Sequence, residues 1–256
     1  MLIDVAQLAG IACVFMRMTG CILFNPLFGR RNFPVLFQVS MTLGLTVMVV
    51  TFSNVTADFS ELSFLMTCVI LLKELFVGFT MGAIVSLFTY VVIIGGEFID
   101  FQMALSMSKV YDPQSGVQMS VSATFLNLMF IFIFFAMNGH LTIINMFLYS
   151  AEVIPYGQVR FLNPDLSMLI LDVFCQCTIL GLKMAMPIVG IIFVLEMGVG
   201  ILMKTIPQIN VFVVNLPVKI LVGIIMVMAI FTPISKFIEQ SVTLMFNTMG
   251  MAMLLL

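Results

Sequence analysis

Long apolar runs, separated by short polar breaks, make up most of the sequence. A helix rises about 1.5 Å per residue, so about 20 residues cross the hydrocarbon core of a bilayer. Residues 62–94 are therefore either one very long tilted helix or two shorter ones. The runs are residues 5–28, 35–52, 62–94, 121–137, 166–202 and 218–237, followed by an apolar tail at 242–256.

The apolar runs are expected to be helices. In lipid only helices and closed β-barrels satisfy every backbone polar group. Barrel strands alternate polar and apolar residues over about ten positions, whereas Phe130-Ile-Phe-Ile-Phe-Phe135 is apolar throughout. The chain is 62% hydrophobic and only 9% charged, while a soluble domain is about 25% charged. The sequence predicts an all-α, polytopic integral membrane protein.

The composition also excludes several classes of protein. A net charge of −2, with no basic cluster beyond Arg30-Arg31, offers no electrostatic surface to nucleic acid. One histidine, His140, and five scattered cysteines do not make a repeated metal-ligand framework. A single histidine also leaves little from which to build a nucleophilic triad. We therefore expect no catalytic residues, no cofactor and no metal, and an enzyme is disfavoured.

Two groups of glycines indicate close helix packing. Gly78-Phe-Thr-Met-Gly82 has the small-x-x-x-small spacing that lets two helix backbones approach each other. In the run 166–202, Pro187 and three glycines predict a bent, tightly packed helix. These glycines are Gly190, Gly198 and Gly200.

Ionisable side chains inside the apolar runs are candidates for function, because each costs at least about 2.5–3.5 kcal/mol in lipid. Lys73 and Glu74 are adjacent and point about 100° apart on a helix, so each needs a partner elsewhere or a wet boundary. Glu97 and Asp100, spaced i, i+3, are expected to share one face. Structural pairing or snorkelling, a proton or ion relay, and a water-filled conduit all remain open. The intramembrane candidates are Arg17, Lys73, Glu74, Asp172, Lys183 and Glu196.

The segment 95–120 is less apolar than its neighbours and is the most informative part of the chain. It mixes methionines with Gln and Ser and has a turn signal at Asp112-Pro113. Irregular backbone at membrane depth is tolerated only when it is buried in protein or lines a cavity, and flexible Met side chains adapt to irregular surfaces. The segment is either a deformable seal across a passage or a plain surface loop between two spans.

A second break falls between two apolar runs, at residues 138–140. Asn-Gly is a strong turn signal. We expect Asn138, Gly139 and His140 to form a helix junction, in which the histidine caps or anchors a helix end.

Several short sequence motifs follow one another along the chain in a characteristic order. They are Gly96-Glu-Phe-Ile-Asp-Phe-Gln-Met-Ala-Leu-Ser106, Asp112-Pro113, Asn138-Gly-His140, Arg17 with Pro26 and Pro34, Gly198…Lys204…Pro207-Gln208, and Pro217…Gly223. Singly these strings are unspecific, but their joint order resembles FliR, the family of R subunits of the flagellar type III protein export gate. The likeness extends over essentially the whole chain. The T-type subunits of injectisomes are a close alternative, but the strings at 102–106 and 138–140 fit the flagellar family better.

The resemblance implies an architecture and a set of partners. Such proteins occur as one copy in a closed helical assembly with several P-type and Q-type subunits, in the bacterial inner membrane within the flagellar basal body. Residues 1–180 would be a P-subunit-like hairpin region and residues 181–256 a Q-subunit-like hairpin. The kinked hairpins would pack on partner subunits as well as lipid. The B-type export subunit, the A-type subunit of the export apparatus and unfolded flagellar proteins, as transported substrates, are further implied partners.

The resemblance also implies roles for particular residues. In this family a loop of the R subunit plugs the central pore, and the matching segment here is residues 101–120. Gating would be passive, because the export of substrates is driven elsewhere. The plug residues would be Gln102, Met103, Leu105, Met107, Asp112 and Pro113. The residues expected as buried charges or subunit contacts are Arg17, Lys73, Glu74, Glu97, Asp100 and Glu196.

The main rival interpretation is a stand-alone secondary transporter of a small solute, with a site near Pro187 and Glu196. Transporters often contain inverted repeats and broken helices. The sequence has no convincing internal repeat, which counts against this rival. The sequence therefore predicts a non-enzymatic subunit of an export gate.

Overall fold

The structure, a computed structural model, is helical throughout the part of the chain that it describes. The described residues are 5–27, 34–52, 63–107, 120–157, 163–206 and 211–256. The α-helices in these ranges are α1 (Val5–Phe24), α2 (Val35–Phe52), α3 (Phe64–Gln102), α4 (Val121–Ala136), α5 (Gly139–Val153), α6 (Pro164–Thr205), α7 (Val211–Ala229) and α8 (Phe231–Leu255). A 3-10 turn, Leu105–Met107, follows α3.

The helices follow the predicted apolar runs, with two informative differences. The run 62–94 is one helix, α3, of 39 residues, so the alternative of two shorter helices is wrong. The run 218–237 is instead divided at Ile230, where α7 ends and α8 begins. Pro233 lies in the first turn of α8, where a missing N–H costs nothing, and this explains why a helix starts there.

Helices long and apolar enough to cross a membrane confirm the predicted fold class. Within the described residues there are four such helices, or up to six if each of two broken helix pairs is counted as one span. The four are Gln7–Phe24, Val35–Phe52, Phe64–Gln102 and Pro164–Thr205. The protein is therefore an all-α, polytopic membrane protein.

The chain forms two compact units, each assembled from separate stretches of sequence. The first unit contains Met1–Phe88, Phe134–Phe174 and Val242–Leu256. The second unit contains Thr89–Ile133 and Cys175–Ser241. The division expected at residue 180 falls inside α6, and that division stays a prediction.

In the first unit, α1 packs closely on α3 through glycines. A Cβ added to Gly78 would overlap the carbonyl oxygen of Arg17, and one added to Gly82 would lie 2.9 Å from the carbonyl oxygen of Cys21. A Cβ added to Gly20, on the facing helix, would overlap the carbonyl oxygen of Leu75. The close approach predicted from the Gly78–Gly82 spacing is therefore confirmed.

In the second unit, the glycines of α6 behave differently from the prediction. Gly181 does pack on α3, since its Cβ would lie 3.0 Å from the carbonyl oxygen of Val91. Gly190, Gly198 and Gly200 have no neighbouring atom within 4 Å of an added Cβ. The prediction that they pack tightly is wrong within this chain, because no described helix comes close to these three glycine positions of α6.

Candidate functional site

The predicted pore loop begins later than expected. Helix α3 continues through Phe101 and Gln102, and the backbone N–H of Met103 still donates to the carbonyl oxygen of Ile99 at 2.9 Å. The helix ends where Ala104 adopts a φ of 61°, a left-handed conformation that no helix interior accommodates. The start predicted at residue 101 is wrong, because nothing interrupts the helical hydrogen bonds before Ala104.

Met103 anchors the start of this loop. Its side chain is 1% exposed, and a Cβ added to Gly223 of α7 would lie 2.5 Å from its Cε. Gln102 and Leu105 are partly exposed, and Met107 ends the 3-10 turn. Asp112 and Pro113 lie outside the described residues. Met103 therefore packs the end of α3 against α7 within the second unit.

Asp100 links the end of α3 to the start of α4. Its Oδ2 accepts a hydrogen bond from the backbone N–H of Ser122 at 3.0 Å. Ser122 is in the first turn of α4, where backbone N–H groups lack helical partners, so the carboxylate caps this helix from α3. The hydrogen bond joins residues on either side of the loop.

Glu97 and Asp100 do not share one environment, contrary to the prediction. Asp100 is 1% exposed, whereas Glu97 is exposed and so is not a buried charge in this chain. Three residues along a helix turn the side chain by about 300°, leaving the two about 60° apart. This separation is enough to place Asp100 against α4 and to leave the side chain of Glu97 exposed.

A buried ion pair lies in the first unit. Arg17 of α1 and Glu74 of α3 are both completely buried, and Nη2 of Arg17 lies 2.7 Å from Oε2 of Glu74. The Nε of Arg17 donates to the same oxygen at 2.8 Å. The pair confirms that Glu74 finds its partner away from Lys73.

Arg17 also caps the end of α5. Its Nη1 donates to the carbonyl oxygen of Ser150 at 2.9 Å and to the Oγ of Ser150 at 3.2 Å. Its Nη2 donates to the carbonyl oxygen of Ile154 at 3.2 Å. A cation at a helix C-terminus satisfies carbonyl groups that the helix leaves unpaired. One guanidinium thus joins α1, α3 and α5.

The turn after α5 completes this network. The Oε1 of Glu74 accepts a hydrogen bond from the backbone N–H of Gly157 at 2.8 Å. The ring of Tyr156 stacks on Arg17, with Cζ 4.4 Å from the ring centroid. Burial raises the pKa of Tyr156 to about 12, although the nearby Arg17 acts in the opposite direction. Sequence analysis did not single out Tyr156 and Gly157, because the sequence does not reveal that this turn packs against Arg17 and Glu74.

The remaining predicted charges are less buried. Lys73 is half-buried and forms no ion pair with the described residues. Glu196 of α6 pairs with Lys219 of α7, and their side chains are 37% and 12% exposed. Lys219 was not predicted as a site residue, because the sequence does not reveal that α6 and α7 pack side by side there. Only Arg17, Glu74 and Asp100 are fully buried charges in the predicted set.

Residues 138–140 lie at the junction between α4 and α5, and the expected capping or anchoring role of His140 stays a prediction. Asn138 has a φ of 56° and a ψ of 31°, and α5 starts at the next residue. Gly139 is buried against the Phe134 ring, whose nearest atom would be 2.5 Å from a Cβ. His140 lines a cavity of about 220 Å³ and lies 5.4 Å from the Phe135 ring, centroid to centroid. The left-handed backbone conformation of Asn138 makes the turn between α4 and α5. The side chain of His140 packs in the first turn of α5.

These features define an α-helical membrane protein with a buried ion pair and an anchored loop. The chain belongs to the FliR family, described as bacterial export proteins, family 1, whose model matches residues 8–245. It is 31% identical over 242 residues to the flagellar biosynthetic protein FliR of Bacillus subtilis, covering 92% of this chain and 91% of that protein. The FliR proteins of Pectobacterium carotovorum and Escherichia coli are 27% and 24% identical, each over 92% of this chain and 89% of the relative. The resemblance found in the sequence is therefore confirmed.

Proposed function

We propose that this chain is a non-enzymatic core subunit of the flagellar type III protein export gate. With P-type and Q-type subunits it forms the channel for unfolded flagellar proteins, in the inner membrane at the flagellar basal body. The B-type and A-type export subunits are its further partners. Membership of a family of bacterial export proteins, with relatives named for flagellar biosynthesis, supports this proposal.

The observation that carries the proposal is the uncovered length of α6. This helix has 42 residues, and only 11% of its most apolar window is buried within the chain. Its length of about 63 Å is twice the hydrocarbon core of about 30 Å. A single span of that length would have to tilt by about 60°, beyond the usual range of about 0–40°. Lipid alone does not cover the apolar surface of this helix, so we infer that other subunits pack against the rest of it.

The anchored loop supports a role as a pore plug. The Asp100–Ser122 hydrogen bond joins two residues on either side of the loop, and Met103 is buried beside one of them. The described residues on the two sides of the segment are therefore held together by a direct hydrogen bond. A segment whose two ends are fixed in this way suits a role as a plug.

Mass measurement tests the subunit proposal. Expressed with its P-type and Q-type partners, the chain should enter one large homogeneous particle, and expressed alone it should aggregate in mild detergent. A well-behaved monomer that carries a small solute into liposomes would instead support the transporter and defeat the proposal.

Ion conductance tests the plug separately. Deleting residues 106–115 should raise ion leakage through the assembled gate while the particle still forms, because Asp100, Met103 and Ser122 remain. Unchanged conductance in a normally assembled particle would remove the plug assignment. The expected division into P-like residues 1–180 and Q-like residues 181–256 remains part of the proposal.

A further inference from the structure

A groove opens on the second unit beside the start of the loop. Its volume is about 490 Å³. Most of its lining is apolar, but a carboxylate and two hydroxyl groups interrupt it. The lining residues are Ile94, Glu97, Phe98, Phe101, Ser106 and Ser120.

Glu97 brings to this groove a negative charge that forms no ion pair within the described ranges. Its side chain is exposed, and no Lys or Arg in the described ranges forms an ion pair with it. By contrast, the other glutamates of the predicted set, Glu74 and Glu196, each pair with a cation of this chain. A carboxylate set among apolar side chains at a membrane-spanning helix needs a compensating cation.

Ser120 supplies an independent sign that the groove has an occupant. Its side chain is 4% exposed, and its Oγ has no hydrogen-bond partner in the described structure. Buried hydroxyl groups are normally paired. Ser120 lines the same groove as Glu97, so the two polar groups that have no partner in the described structure border one cavity.

Two phenylalanines define the chemistry that fits. Phe98 and Phe101 line the groove and are 44% and 72% exposed. Aromatic faces attract cations, and the hydrocarbon stems of Lys and Arg cover apolar surface while their charged heads reach a carboxylate. A long basic side chain therefore matches the aromatic rings and the carboxylate together.

We propose that this groove receives a lysine or arginine side chain from a neighbouring subunit of the export assembly, which pairs with Glu97. The proposal rests on the proposed function, since it requires an assembly. One contact between subunits of this assembly is then a basic side chain bound in the groove, next to the end of α3. The loop would then be braced from outside the chain as well as by Met103 and Asp100.

Charge substitutions in the complete assembly test this contact. The measured quantity is the fraction of the chain recovered in the large particle after co-expression with the P-type and Q-type subunits. Glu97→Gln should lower this fraction about tenfold and Glu97→Lys further, because the incoming cation loses its partner or is repelled. Ser120→Ala should lower it a few-fold. Glu152→Gln, a matched change at an exposed glutamate of α5, should leave it unchanged.

The outcomes separate this contact from the proposed function. If the wild-type chain enters the particle and Glu97→Lys enters it equally well, the contact is overturned and the gate subunit stands. If the wild-type chain enters no particle, the proposed function itself fails. Lys109 of the same chain is the alternative source of the cation. Equal losses for Lys109→Met, Glu97→Gln and their double variant would assign the cation to this chain and overturn the proposal.

Discussion

The guanidinium of Arg17 and the carboxylate of Glu74 form an ion pair, with Nη2 and Oε2 2.7 Å apart and both side chains fully buried. The two residues are 57 positions apart and belong to different helices. Each also serves the end of α5, since Arg17 binds carbonyl oxygens of Ser150 and Ile154 and Glu74 accepts the N–H of Gly157. These two charges therefore join helices, and structural pairing is one of the three interpretations that the sequence left open.

Removing one partner of the buried pair should strongly destabilise the protein. Glu74→Gln leaves an unpaired guanidinium in the interior, and we expect a loss of about 3–5 kcal/mol in the free energy of unfolding. Glu196→Gln is the matched control, because the pair with Lys219 is partly exposed and should contribute only about 0.2–1 kcal/mol. Denaturant-induced unfolding of the chain in the particle co-purified with its P-type and Q-type subunits measures both. Equal losses for the two variants would contradict the structural role of Arg17 and Glu74.

A methyl group at Gly78 should separate α1 from α3. The Cβ of Gly78→Ala would overlap the carbonyl oxygen of Arg17, which is backbone and does not move aside cheaply. We expect a loss of about 1–3 kcal/mol or more in the free energy of unfolding. Gly250→Ala is the control, since no atom lies within 4 Å of its Cβ, and alanine is there favoured by up to about 1 kcal/mol. A neutral Gly78→Ala would show that the helices are not in close contact.

Bulky apolar groups on α6 distinguish a protein partner from lipid. Gly198→Phe meets open space within the chain and should not change the amount of the chain found in the membrane fraction. If another subunit covers this part of α6, the ring should block its approach and reduce co-purification with the P-type and Q-type subunits severalfold. Gly44→Phe is a comparable change on α2, also in open space. Normal co-purification of Gly198→Phe would mean that lipid, which accommodates a ring, covers this position.

Tyr156 should ionise later than an ordinary tyrosine when the pH is raised. Burial raises its pKa to about 12, so the folded chain keeps the phenol neutral after the unfolded chain begins to ionise near pH 10. Its contribution to stability is therefore complete below about pH 10 and is lost as the pH rises through about 12. Phenolate absorbance during an alkaline titration measures this ionisation. Tyr156→Phe should remove only the ionisation near pH 12 from this titration. The aromatic ring that stacks on Arg17 is kept in this variant.

Much of the fold could be predicted from the sequence, because lipid restricts a continuous apolar run to a helix. Run 35–52 is helix α2 with the same boundaries, and the break at Asn138-Gly139 is where α4 gives way to α5. Asn-Gly signals a local backbone conformation, so its effect does not depend on distant residues. The short sequence motifs shared with the FliR family indicated the family for a similar reason. Such motifs are defined by the order of residues along the chain and do not depend on tertiary contacts.

The contacts of individual side chains depended on the tertiary structure. In helices that are apolar on every side, the sequence does not mark the buried face, so Gly78 and Gly190 looked alike although only Gly78 packs against a backbone. The same uniformity hid the burial of Asp100 and the exposure of Glu97. The partner of Arg17 was also hidden, because a helix sequence records angular spacing within itself and not which neighbour lies across from it. The amino-acid order thus determined helices, breaks and family, and only packing between helices decided which charges meet.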